Sequence, residues 1–301
     1  MKKITVCIPV LDEEDNILSA YKSVTDVFNN KLKNYDYEII FSDNHSSDST
    51  QKIITDLCKE DKKTKYIRFK SNIGYDKSVL ESYKNSSGDA TIIMDCDLQD
   101  SPEIFEQFLK EWENGHDVVY GIRDKRKEKF TLFRKLFYRM MHAGANTKYP
   151  LDAGDFRLVD KRVIENFKDN TNSFPYMRGL TFSLAKNPKG ILYTRDERNK
   201  GKSKFGIYLL FSYAVNALIE ETFFFIRICA RISLGIFFIS LFFSTINLLS
   251  KFYIISLKEN LFLLILTFIT VLLSLIGEYV ARIYFRLKKT ESIIYEKKIN
   301  F

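Results

Sequence analysis

Through the first part of the chain, short apolar runs alternate with stretches in which apolar residues recur every three or four positions. ITVCIPV (4–10) predicts a buried strand, and residues around 14–28 a helix. YEIIFSD (37–43) predicts the second strand, followed by a helix from about 49 to 59. A short strand near 66–69, a helix across 77–83, the run ATIIMD, a helix over 102–113 and the strand DVVYG (117–121) follow. Strands separated by helices imply βαβ units with right-handed crossovers, hence a mainly parallel sheet. Such sheets bind ligands at the carboxyl ends of their strands. That rule gathers 9–13, Asp43, 95–97 and 121–123 along one edge. Between about 124 and 205 the pattern loosens, with no internal repeat or low-complexity linker.

The pattern changes again towards the C-terminus. Residues from about 220 to 285 are dense in Phe, Leu and Ile, and neither 232–250 nor 261–277 carries a charge. Each run, with its flanks, approaches or reaches the roughly 20 residues that cross a bilayer. The pair predicts a transmembrane hairpin with Lys258-Glu259-Asn260 as a short link; two buried core helices are the alternative. Arg227 and Arg231 precede the first span, and Arg282, Arg286, Lys288, Lys289, Lys297 and Lys298 follow the second. Only Lys251 and Lys258 lie between. The positive-inside rule therefore expects both ends and the globular part in the cytoplasm. No cleavable leader is visible, because ITVCIPV is too short and is followed by acids. Residues 129–142, KFTLFRKLFYRMMH, read as a basic amphipathic helix, either on the membrane surface or with an ordinary solvated face. Residues 205–227 read as further interfacial helices.

Composition and charge alter the picture in a few places. The net charge of +8 over 301 residues suits an anionic membrane surface or phosphate ligands. There is no recognisable RNA- or DNA-binding motif, so nucleic acid is not an expected partner. Cys7, Cys58, Cys96 and Cys229 lack metal-ligand spacing and are expected to be reduced, and His45, His116 and His142 do not cluster, which argues against zinc. Asp95-Cys96-Asp97 is the strongest chemical feature. Two acids one residue apart, just past a buried strand, can hold Mg²⁺ or Mn²⁺ against a diphosphate, because hard oxygen ligands suit these ions. The bland reading is a solvated strand end, or a helix start at Asp100-Ser101-Pro102. Asp43 stands where a dinucleotide-binding fold keeps its ribose acid. The turn PVLDEEDN, however, has no glycine, and its acids would repel a pyrophosphate, so the nicotinamide reading fails.

PVLDEE, FSDNHSSDST, MDCDLQD, GDFRLVDKR and RNKGKSKF, in that order, resemble the family-2, GT-A-type glycosyltransferases. More narrowly, the chain resembles the polyprenyl-phosphate glycosyltransferases, which include bactoprenol glucosyltransferases and dolichol-phosphate mannose synthase. The narrower resemblance adds VVYG-x-R at 118–123, RGL at 178–180, Ser203-Lys204 and two C-terminal spans ending in GEYVARIY (277–284). It runs almost the whole length. It implies a cytoplasmic GT-A α/β domain with a mainly parallel central sheet over 1–204, then interfacial amphipathic helices over 205–230. Two transmembrane helices within 231–286 (about 231–253 and 260–284) and a cytoplasmic tail over 287–301 complete the expectation.

The resemblance also implies residue roles. Pro9, Leu11, Glu13 and Asp43 would embrace the nucleotide, with Asp43 accepting a base N–H. Asn44, where the family often has a second acid, receives no binding role, and Ser49 and Thr50 belong to a helix start capped by Ser47 or Asp48. Asp95 and Asp97, beside Gln99, would hold the Mg²⁺ or Mn²⁺ that bridges the donor diphosphate, with Cys96 as a small spacer. Arg123, Arg198 and Lys204 would handle phosphate, and Arg134 and Arg139 are further candidates for the lipid phosphate. Asp155, with Asp97, is the candidate catalytic or acceptor-orienting acid.

The implied reaction is inverting transfer of a sugar from a nucleotide-sugar to a polyprenyl phosphate, such as undecaprenyl phosphate, at the cytoplasmic membrane face. UDP-glucose comes first. GDP-mannose, UDP-galactose, UDP-N-acetylhexosamine and a UDP-aminoarabinose derivative stay open, because no residue separates them. The family often assembles as homo-oligomers. A processive synthase would need a Gln-x-x-Arg-Trp signature, and the only tryptophan is Trp112. A pore or transporter would need more polar groups in its spans, where the Glu278–Arg282 pair reads as a helix salt link. A non-catalytic scaffold would not need the intact acids and bases.

Overall fold

The parallel strands form where apolar runs predict them. In this computed structural model, residues 1–123, 153–167, 176–195, 224–249, 257–287 and 293–301 are described, with some side chains of the two longest helices outside that set. β1 (Lys2–Val10), β2 (Tyr35–Asp43), β3 (Thr64–Phe69) and β4 (Ala90–Ile93) alternate with α1 (Ile17–Asn30), α2 (Thr50–Glu60) and α3 (Tyr75–Lys84). β1 and β2 are buried almost end to end, as strands covered on both faces must be. α1, α2 and α4 (Phe105–Glu113) pack as one group of helices. α3 packs with α5 (Lys161–Glu165) and α6 (Met177–Leu184) as another. A 3₁₀ turn, Pro102–Ile104, leads into α4, and the Ser101 side chain caps it by accepting from Glu103 N.

The sheet is mixed rather than wholly parallel. β5 (Val118–Arg123), β6 (Ala153–Asp160), β7 (Pro188–Tyr193) and β8 (Tyr295–Ile299) complete eight strands in the order β7-β5-β6-β4-β1-β2-β3-β8. β6 runs antiparallel to both β4 and β5, and β8 runs antiparallel to β3, while the other pairs are parallel. The expected tail over 287–301 is corrected here, since its last residues are an edge strand. YEKKI alternates partly buried and exposed positions, and its charges suit an edge that must not recruit another strand. Trp112 is structural: its indole N–H donates to Asp160 Oδ2 at 2.7 Å.

The chain divides into two units. The first comprises 1–131, 147–207 and 290–301, and the second 132–146 and 208–289. In the second, α7 (Phe224–Leu249) and α8 (Leu257–Leu287) are long helices in contact, with the Phe237 and Phe268 ring centroids 6.1 Å apart. Lys258-Glu259-Asn260 begins α8 instead of forming the expected link. Leu234, Phe238, Phe242, Phe262, Leu273 and Val280 are all exposed. Among the described residues no helix is long and apolar enough to cross a membrane. The expected basic helix at 129–142, the interfacial segment before residue 224 and the Glu278–Arg282 side chains lie outside the described residues.

Candidate active site

The loops following β1 and β2 are laced together by their own acids and hydroxyls. Asp12, with a φ of 49°, donates its N–H to Ser46 Oγ (2.8 Å), while its Oδ1 accepts from Ser47 N and Oγ (2.6 and 3.0 Å). Glu13 N donates to Thr50 Oγ1 (2.9 Å), and Ser49 N to Glu14 Oε2 (2.9 Å). Asp48 accepts from both Glu14 N and Thr50 N (3.2 and 2.9 Å), so it holds the start of α2. Pro9, Leu11 and Glu13 stay partly exposed along this edge. Asn44 is buried, and its Oδ1 accepts from Ile73 N at 2.8 Å.

Asp43 lies in register between Val10 and Arg68 and is wholly buried. Its Oδ1 accepts from Ser46 N and Oγ at 2.7 Å each, and its Oδ2 from Tyr66 OH (2.5 Å) and Arg68 Nη1 (2.6 Å). A carboxylate offers about four acceptor sites, and all are taken. That geometry makes Asp43 an anchor of the loop beneath the edge where the resemblance expects the nucleotide base.

The chemistry-bearing cluster lies past β4. Asp95 follows the strand by two residues and accepts from Tyr75 OH (3.2 Å), with Arg195 Nη2 at 3.8 Å. Asp97 is buried, with Gln99 N donating to its Oδ1 (3.1 Å), and Cys96 is buried beside it. Asp100, also buried, accepts from Tyr193 OH (2.5 Å) and Arg195 Nε (3.1 Å), with Arg123 Nη2 at 3.9 Å. Gly121 lets Tyr193 come that close, because a Cβ there would sit 2.5 Å from the tyrosine ring. Phe156 backs the same ring, with centroids 5.6 Å apart.

Asp155, from β6, meets Arg178 Nη2 at 2.7 Å and Arg157 Nη1 at 3.5 Å. Arg157 is 1% exposed, and its Nη1 has no hydrogen-bond partner. Register places it between Ile93 of β4 and Tyr120 of β5. Asp76 Oδ1 accepts from Met177 N (3.0 Å), tying down the helix that carries Arg178.

Environment drives the two key acids apart. Burial, then repulsion from Asp100, Asp155 and Asp97, pushes the Asp95 carboxyl up to about 7. Burial also acts against ionised Asp155, but Arg178 and Arg157 outweigh it and hold that carboxyl below the ordinary range. Arg123 stays charged despite burial, through Tyr193 and Asp100. Among the described residues, no group of three or more His, Cys, Asp or Glu is placed to hold a metal ion. Asp95 and Asp97 still offer hard oxygens, and Asp95 is repelled by the neighbouring carboxylates, which fits a dication that takes its remaining ligands from a substrate.

The sequence-predicted Asp95, Asp97, Arg123 and Asp155 are thus brought together, while Arg198, Lys204, Arg134 and Arg139 lie outside the described residues. Asp100, Tyr75, Tyr193, Arg178 and Arg195 gain roles that sequence reasoning did not assign. DLQD and RGL contained two of them; nothing in the sequence marks Arg195.

Residues 5–167 match the family model described as "Glycosyl transferase family 2". The chain is 30% identical to the SfII prophage-derived bactoprenol glucosyl transferase of Shigella flexneri, over 98% of both chains. It is 32% identical to the bactoprenol glucosyl transferase of Shigella phage SfV, over 79% of this chain and 78% of that one. It is 28% identical to the uncharacterized glycosyltransferase YkcC of Bacillus subtilis, over 97% of this chain and 93% of that one.

Proposed function

The chain belongs to glycosyltransferase family 2 and has its GT-A α/β fold, and on that premise we propose that it transfers a sugar from a nucleotide-sugar to a polyprenyl phosphate. One observation carries the proposal: Asp95, Asp97, Asp100 and Asp155 converge with Arg123, Arg157, Arg178 and Arg195 past the carboxyl end of β4. Asp95 and Asp97 would hold Mg²⁺ or Mn²⁺, which supplies positive charge against the leaving diphosphate. Arg123 and Arg195 offer planar guanidinium groups to phosphate oxygens. Asp155, held ionised, is a poor proton acceptor and instead keeps Arg178 and Arg157 aligned. The reaction needs no stronger base, because a lipid phosphate is already anionic near neutral pH. Attack by that phosphate oxygen opposite the leaving diphosphate inverts the anomeric carbon.

The acceptor assignment draws on the bactoprenol glucosyl transferases, which match this chain through its helical C-terminal part as well. The glucosyl transfer named for those relatives supports glucose as the sugar, and UDP-glucose is the first donor in this proposal. α7 and α8, with 26 and 31 residues, span about 39 and 46 Å at 1.5 Å per residue, against a hydrocarbon core of about 30 Å. Their exposed Phe, Leu and Ile side chains suit lipid, not water. They form a bilayer hairpin in this proposal, with catalytic domain and termini cytoplasmic by the positive-inside pattern. Purified full-length protein in lipid, with Mg²⁺ or Mn²⁺, polyprenyl phosphate and a panel of nucleotide-sugars, tests the proposal. A glycolipid from one donor is expected; nucleotide release without lipid product would refute the acceptor.

A further inference from the structure

β8 joins the sheet only after the long helices, beyond residues 5–167 that match the family. Its register against β3 slips: Arg68 faces Lys297, and Phe69 faces Tyr295. Glu296 is therefore the extra residue of a bulge, a device that re-aims a side chain. Its Oε2 lies 2.9 Å from Arg68 Nε and 3.5 Å from His45 Nδ1. Arg68 is 6% exposed. Its Nη1 holds Asp43, and Nη1 and Nη2 both reach Ser46 O at 3.1 Å. With Glu296 on Nε, each guanidinium nitrogen has an acceptor. His45 has a φ of 70°, a left-handed backbone uncommon outside glycine. The strand is fixed independently by Tyr295 OH on Glu81, and by Asn300 Nδ2 on Cys58 O and Thr64 O at 2.7 Å each.

We propose that Glu296 is a positioning residue for the donor nucleotide. Through Arg68 and Asp43 it fixes the loop at 44–50, which in turn holds Asp12 and Glu13 at the nucleotide edge. The proposal rests on the donor assignment above, and its test separates the two. Equilibrium binding of UDP and of GDP is measured on the full chain in lipid, alongside melting temperature and donor KM and kcat. Glu296→Ala should weaken nucleotide binding about fivefold, the scale of a partly exposed charged hydrogen bond. Donor KM should rise in step while kcat holds. Glu296→Gln, which keeps an acceptor for Arg68, should recover part of the loss. Lys298→Ala, whose amine reaches Asn85 instead, should bind as wild type does. A Glu296→Ala protein that melts lower yet binds nucleotide normally would overturn the proposal, reducing β8 to an edge cover. A wild-type protein that binds neither nucleotide would overturn the donor assignment, and this proposal with it.

Discussion

The two halves of the sheet treat charge in opposite ways. In the β1-β2-β3-β8 half, each buried acid is fully engaged without any ligand. Asp43 has four donors, and Glu38 is held by Thr5 (2.7 Å), Ser87 (2.9 and 2.7 Å), Lys3 (2.6 Å) and Lys65 (3.0 Å). Burial alone would raise the Glu38 carboxyl, yet these partners bring it to about 2. In the β4-β6-β5-β7 half, carboxylates face one another, Asp95 is pushed up to about 7, and a buried guanidinium nitrogen of Arg157 lacks a hydrogen-bond acceptor. One half is complete as folded. The other gathers carboxylates and guanidinium groups at looser distances, a setting that suits a bound cation and the phosphates of a leaving group.

The sharpest way to break this contrast is at Asp95 and Asp97. Asp97→Ala or Asp95→Asn should lower glycosyl transfer by about 10²–10³-fold, the usual cost of removing one electrostatic stabiliser of a leaving group. Asp95→Asn should also raise the melting temperature of the metal-free protein, since it removes a repelled carboxylate. Asp155→Asn should do the reverse. It strands Arg178 and Arg157, so it should destabilise by about 2 kcal/mol, discounted from a fully buried pair for its partial exposure, and cost about 10²-fold in transfer. Thermal melts of the two Asn variants side by side check the opposite signs. Gly121→Ala forces a Cβ into Tyr193 and should cost about 1–3 kcal/mol of overpacking, with a smaller loss of transfer as Asp100 loses its phenol partner.

The mildest perturbation is acid, and it probes the complete half. Glu38 has a folded pKa of about 2, below its ordinary value near 4.3. Its stabilisation is present in full above about pH 4.3 and is lost as the pH falls towards 2. Glu38→Gln should flatten the stability profile of the protein over that window and leave transfer at neutral pH unchanged.

Most of the first half of the sheet was legible because β1, β2 and β4 are apolar runs and α1, α2 and α4 are amphipathic. β6 escaped sequence reading because GDFRLVD alternates buried Phe156 and Leu158 with Asp155 and Arg157, and inward-facing charges read as loop. β7 opens on Pro188 and β8 is heavily charged, and edge strands of both kinds lack the apolar signal. The site was legible where a motif fixed spacing, at Asp95, Asp97, Arg123 and Asp155. Arg195 and Tyr193 reach Asp100 only through the register of β7 against β5, which no local pattern encodes. Asp43 was legible as a position, but its four donors arrive from Ser46, Tyr66 and Arg68 and exist only once β2 and β3 pair.

Asp95 is the point where a carboxylate repelled by its neighbours would meet a cation and a diphosphate. Equilibrium binding of UDP to the full chain in lipid, with and without Mn²⁺, measures that directly in wild type and Asp95→Asn. Wild type should bind at least about tenfold more tightly with Mn²⁺, a difference of about 1.4 kcal/mol, and Asp95→Asn should lose that dependence. Full Mn²⁺ dependence in Asp95→Asn, or none in wild type, would contradict it.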